Sequence, residues 1–125
     1  MIGEDEAPIL EATKGILNKL GYRVTGFVDG ASALEAFESA PKDYDLVITD
    51  MTMPRMSGRE LSERVLAIRQ DIPIILCTGY HETFTKEAAL ETGIRRYLQK
   101  PVIGRELAAI VRKELAQKEE YNESN

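Results

Sequence analysis

The chain has 125 residues, 43% of them hydrophobic and 30% charged, with 16 Lys+Arg against 21 Asp+Glu for a formal net charge of −5. That length and mixture describe one folded domain with one real core rather than a disordered chain, and the acidity argues against a nucleic-acid or anionic-membrane surface. A single cysteine, Cys77, excludes an internal disulfide, and with a single histidine, His81, it cannot build a Cys/His zinc site.

No apolar run approaches the ~20 residues that span a bilayer, and residues 1–6 lack the basic start and apolar stretch of a signal peptide. A reduced, cytoplasmic setting is the expectation. In chain order, Ile9, Thr13, Ile16, Leu17 and Leu20 recur at three- and four-residue steps as a helix face, and Gly21 is its stop. Residues 22–28 are short and β-rich and predict a strand. Ala33, Leu34 and Phe37 mark a second helix, ended before Pro41. Leu46-Val47-Ile48-Thr49 predicts a strand covered on both faces. Ser57-Gly58-Arg59-Glu60 has the spacing of a capping box, continued by Leu61, Val65 and Ile68. Pro73 precedes a second buried strand, Ile74-Ile75-Leu76-Cys77. A helix follows over residues 85–92 with Gly93 behind it, then a very short strand near Tyr97-Leu98. Leu107, Ile110, Val111 and Leu115 define the last helix, and residues 118–125, without an apolar stripe, form a polar, frayed tail.

Strands alternating with helices of this size predict a three-layer, doubly wound α/β domain over residues 1–117, with a parallel five-stranded sheet. Ligands on such sheets sit beyond the carboxyl ends of the strands. The residues there are Glu4-Asp5-Glu6, Asp50, Thr78 and Lys100. Crowded carboxylates raise one another's pKa unless a cation is present, and magnesium suits a site of oxygen ligands that also handles phosphate. Lys100 supplies a point charge for a phosphoryl oxygen and the Thr78 hydroxyl a hydrogen bond. Together with Asp50 as nucleophile, the set describes phosphoryl transfer. Taken singly, each residue has a plainer reading. Glu4-Asp5-Glu6 is also favourable charge at a helix N-terminus, Asp50 a turn start, Lys100 a solvated lysine, Thr78 a loop start and Tyr97 a packed core edge. Their order along one alternating chain is what carries the argument.

With those residues in place, the sequence resembles the receiver domains of two-component response regulators, the CheY-like family, over residues 4–115. The family's phosphorylation segment stands here as Leu46-Val47-Ile48-Thr49-Asp50-Met51-Thr52-Met53-Pro54-Arg55-Met56-Ser57-Gly58. The acidic pair matches Glu4-Asp5, the hydroxyl position Thr78, the Lys-Pro step Lys100-Pro101 and the aromatic three residues earlier Tyr97. The resemblance implies a flavodoxin-like strand order 2-1-3-4-5. It implies transfer of a phosphoryl group to Asp50 from a phosphohistidine on a sensor histidine kinase or phosphotransfer protein. Magnesium would be held by Asp5, Asp50 and the Thr52 carbonyl, with Glu4 near or through water. Thr78 and Tyr97 would form the switch, and Lys100-Pro101 would be a cis bond. Thr52 and Tyr80 resemble the positions that tune phosphoryl lifetime. The domain would act only on itself, by self-phosphorylation and self-dephosphorylation, and so would not be an enzyme.

Three departures qualify the match. Glu4 stands where the family usually has Asp, and Gly104 stands where a capping side chain would serve better. Only Met1, Ile2 and Gly3 precede the acidic pair, so the first strand, central in the sheet, is short and leaves neighbouring backbone groups unpaired. The expectation from this is a fragment of a larger protein, such as the receiver of a hybrid sensor kinase, with the gap filled by water, distortion, segment exchange or a homodimer. No output domain is expected after the last helix. A magnesium-dependent phosphohydrolase would need a second Asp where Thr52 stands. An FMN carrier would need a phosphate loop where Glu4-Asp5-Glu6 stand. The remaining competitor is a receiver-like interaction module that is no longer phosphorylated. The charge itself is local: −3 from Glu4, Asp5 and Glu6, −2 from residues 118–125, and neutrality over residues 7–117.

Overall fold

The computed structural model describes residues 1–79 and 83–124, with backbone alone for 118–124. In chain order the elements are β1 (Ile2–Gly3), α1 (Ala7–Lys19), β2 (Gly26–Phe27), α2 (Gly30–Ser39), a 3-10 turn (Pro41–Asp43), β3 (Val47–Asp50), α3 (Gly58–Ile68), β4 (Ile74–Thr78), α4 (Lys86–Thr92), β5 (Arg96–Gln99) and α5 (Gly104–Ser124). The strands form one parallel sheet in the order β2-β1-β3-β4-β5. This is the three-layer α/β architecture that the alternating periods predict.

The sheet separates two apolar layers because side chains alternate along each strand. Val47, Ile74 and Leu76 face Phe37, Leu61 and Val65 of α2 and α3. Ile48, Ile75 and Cys77 face Leu10, Leu17, Leu107 and Val111 of α1 and α5. All of β3 and β4 is buried, so those strands read as continuous apolar runs. Register between them, Val47 opposite Ile74 through Asp50 opposite Cys77, brings Asp50 and Thr78 to the same end of the sheet.

Several elements differ from their sequence-based outlines. The strand expected over residues 22–28 is only Gly26–Phe27, because its neighbour β1 offers Ile2 and Gly3 alone as partners. Strand β5 is longer than expected, four residues paired throughout with β4. Helix α5 extends to Ser124, past residue 117, and Lys118, Glu119 and Glu120 there are residues that sustain a helix without an apolar stripe. Gly104 is not a cap but the first residue of α5, where a Cβ would lie 2.5 Å from Ile16 Cδ1 of α1.

The short β1 is partly compensated by the chain terminus itself. The Met1 ammonium donates to the Leu46 carbonyl at 3.1 Å, and the Met1 carbonyl accepts from Ile48 N–H at 2.9 Å. The ammonium thereby takes the place of a strand amide. Burial pulls its pKa down to about 6, against a smaller upward pull from Asp45. Beyond it, a cavity of about 300 Å³ opens between residues 21–24 and 43–46.

Candidate functional site

The carboxyl ends of β1, β3, β4 and β5 converge at one edge. Asp50 is the last residue of β3, and Asp50 and Glu4 are each about 5% exposed. Lys100 directly follows β5 and points its Nζ at Asp50 Oδ2, 2.9 Å away, and at Glu4 Oε1, 3.8 Å away. Its amide donates to the Thr78 carbonyl at 2.7 Å, which fixes where the side chain starts. The next bond, Lys100-Pro101, is cis, as the resemblance implies.

Glu4, Asp5 and Asp50 bring carboxylate oxygens within 4.8 Å of one another. Burial, then a hydrogen bond with Asp50 and the charge of Asp50, push Glu4 up to about 8. Burial works against the Lys100 charge, but its hydrogen bond to Asp50 and the charges of Asp50 and Glu4 outweigh it and hold its pKa above the usual value. The site therefore holds more negative charge than Lys100 alone balances. An all-oxygen donor set in that condition fits a hard divalent cation.

The loop after Asp50 is held by its own backbone. Gly58 N–H donates to Met51 O at 2.7 Å and Gly30 N–H to Pro54 O at 3.4 Å. Arg55 takes a left-handed φ of 70° and meets Asp29 at 3.5 Å. A Cβ on Gly58 would overlap the Asp50 carbonyl oxygen, and one on Gly30 would overlap that of Met56. Ser57 then starts α3 by accepting from Glu60 N–H at 3.1 Å, as the capping spacing predicts.

Of the remaining predicted residues, Asp5 is exposed at the rim of the acidic cluster and Thr52 lies exposed in the loop two residues past Asp50. Thr78 is 2% exposed, its hydroxyl directed to the Leu98 carbonyl at 3.5 Å. Tyr97 is half-buried and donates to the Phe84 carbonyl at 2.6 Å. Tyr80 and His81 lie outside the described residues. Three features escaped sequence reasoning: the Phe84 carbonyl as partner of Tyr97, the Asp29–Arg55 pair, and an apolar cavity of about 490 Å³ beside Asp50 and Lys100. A carbonyl and a cavity carry no residue signature, and Asp29 before Gly30 has the composition of a helix cap, which gives no sign of its pairing with Arg55. Cys77 lines that cavity, and burial, then the Asp50 charge, push its thiol up to about 12, so it is not a nucleophile.

A parallel sheet in this order, with an acidic cluster and a lysine at its carboxyl edge, defines a class of signalling domain, and the comparisons with known proteins agree. The family model of the response regulator receiver domain matches residues 1–112. The chain belongs to that family, the receiver domains of two-component systems. It is 34% identical over 112 residues to the sensory transduction protein RegX3 of Mycobacterium tuberculosis, covering 90% of this chain and 48% of that protein. It is also 34% identical to the sensor histidine kinase GacS of Pseudomonas protegens, covering 88% of this chain and 12% of the kinase. The chain thus spans about half the length or less of these relatives. A CheY-like receiver domain from Methanospirillum hungatei superposes with a TM-score of 0.89 at 30% identity, covering 96% of this chain and 94% of that one. A receiver domain from Clostridium thermocellum gives 0.88 at 28% identity, with 94% of each chain covered. Among the described residues, no helix is long and apolar enough to cross a membrane.

Proposed function

We propose that the chain is a phosphoacceptor whose Asp50 takes a phosphoryl group from a phosphohistidine and whose surface changes in response. The observation that carries this reading is the Asp50 carboxylate at the end of β3, with Lys100 Nζ 2.9 Å away and Glu4 and Asp5 beside it. In the transfer an Asp50 oxygen forms a bond to phosphorus as the phosphorus–nitrogen bond of the donor breaks, and the electron pair stays with the imidazole. In this reading Lys100 exchanges its contact with Asp50 for one with a phosphoryl oxygen, and Thr78 supplies a hydroxyl donor. Glu4, Asp5, Asp50 and the Thr52 carbonyl would hold magnesium, which when bound neutralises charge on the phosphoryl oxygens. The bound phosphoryl group adds a charge of about −1.5 to −2 that biases a two-state surface.

The donor is a sensor histidine kinase or a histidine phosphotransfer protein, and likeness to a region of GacS supports a hybrid-kinase context. Self-phosphorylation and self-dephosphorylation are the only chemistry in this reading, in a cytoplasmic setting. Incubation with magnesium and acetyl phosphate tests it: intact mass rises by one phosphoryl group, and Asp50→Asn abolishes the gain. No gain in a folded sample would favour the inert interaction module. Hydrolysis of a phosphate monoester such as p-nitrophenyl phosphate, which cannot serve as an acyl-phosphate donor, would favour a hydrolase.

A further inference from the structure

Tyr97 is tied down by a route that does not pass through Thr78. Its hydroxyl donates to the Phe84 carbonyl at 2.6 Å, and its ring packs on the buried cluster that contains Phe84. Phe84 lies ahead of α4, just before the cap Thr85, with its side chain 2% exposed. The guanidinium of Arg59 lies over the Phe84 ring, 4.4 Å from the centroid. Arg59 is the second residue of α3, the helix that begins where the loop after Asp50 ends. Glu63, one turn on, steadies the guanidinium at 3.4 Å. The Thr78 hydroxyl is directed elsewhere, to the Leu98 carbonyl.

We propose that Arg59 and Phe84 are positioning residues for Tyr97, holding the aromatic inward before any phosphoryl group is present and linking it mechanically to α3. The inference rests on the reading of Tyr97 as the switch residue. Tyr97 keeps its bond only while the Phe84 carbonyl stays in place, and the carbonyl is anchored by a buried ring with a cation on its face. A half-exposed cation–π contact changes populations by about two- to five-fold. Movement of the loop after Asp50 reaches Arg59 directly through the start of α3. Tyr97 then has an input from α3 that does not pass through Thr78.

The test uses the whole chain labelled with 3-fluorotyrosine, without metal or phosphodonor, read by ¹⁹F NMR. The Tyr97 resonance is identified by its absence in Tyr97→Phe. In the wild type it is protected from a soluble gadolinium chelate. In Arg59→Gln the exposed population rises about two- to five-fold, and Arg59→Lys, which keeps the cation, restores protection. Phe84→Leu exposes Tyr97 to the same degree, and adding Arg59→Gln to it has no further effect. A Tyr97 resonance already exposed in the wild type overturns the proposal, as does one unmoved by both Arg59→Gln and Phe84→Leu. Magnesium and acetyl phosphate are added to the same sample afterwards and read separately: no phosphorylation there would overturn the phosphoacceptor reading while leaving the measurement on the unphosphorylated chain intact.

Discussion

Gly58 has no side chain because the Asp50 carbonyl oxygen lies where a Cβ would be. Gly58→Ala has to move either the phosphoacceptor strand or the start of α3. We expect it to destabilise the fold by about 1–3 kcal/mol, the range for an overfilled position, and to abolish labelling by acetyl phosphate, measured by urea unfolding and intact mass. Lys100 makes a prediction with two readouts that move in opposite directions. Lys100→Met removes a cation 2.9 Å from Asp50, so the phosphorylation rate falls by about 10²-fold, as for loss of one preorganised charge-stabilising group. Magnesium affinity, measured by calorimetry, rises, because the lysine no longer competes for the same carboxylates.

Among the elements, α3 shows how local capping serves the site. Ser57 satisfies an amide that the first turn of the helix would otherwise leave unpaired. Ser57→Ala should cost about 1 kcal/mol in urea unfolding, with phosphorylation retained at a reduced rate because the Asp50 loop ends at that cap. Strands β1 and β2 illustrate the opposite dependence. Residues 22–25 carry strand-forming composition, yet β2 is confined to the two residues that β1 can pair. Strand propensity is expressed only where a neighbour supplies the ladder.

Across the whole molecule, charge concentrated at one edge makes stability depend on pH and on metal. Glu4 is raised from 4.5 to about 8, so the folded state binds more protons than the unfolded state between those values. In EDTA that contribution makes stability fall as pH rises through this window. The Met1 ammonium, lowered from 8.0 to about 6, acts in the opposite sense between pH 6 and 8. Thermal melts in EDTA should therefore decline most clearly between about pH 4.5 and 6 and flatten above. Glu4→Gln removes the decline and leaves a rise from about pH 6 to 8. Magnesium raises the wild-type melting temperature most at the alkaline end, where the carboxylates are all ionised.

The element order, the two fully buried strands and the residues at their carboxyl ends are all readable from the chain's local patterns. Apolar periodicity, caps and strand-terminal position are local properties, written within a few residues of one another. Asp50, Lys100 and the acidic pair were legible for that reason, and so was the shortness of β1. Which atoms meet depends on the packed fold: Lys100 with both Asp50 and Glu4, Met1 with Leu46, and Tyr97 with the Phe84 carbonyl. The fold also places Gly104 as the first residue of α5, beside Ile16 of α1. Every residue has a carbonyl, so composition does not say which one a distant hydroxyl or ammonium will find. That choice belongs to the sheet register and to the helices packed across it.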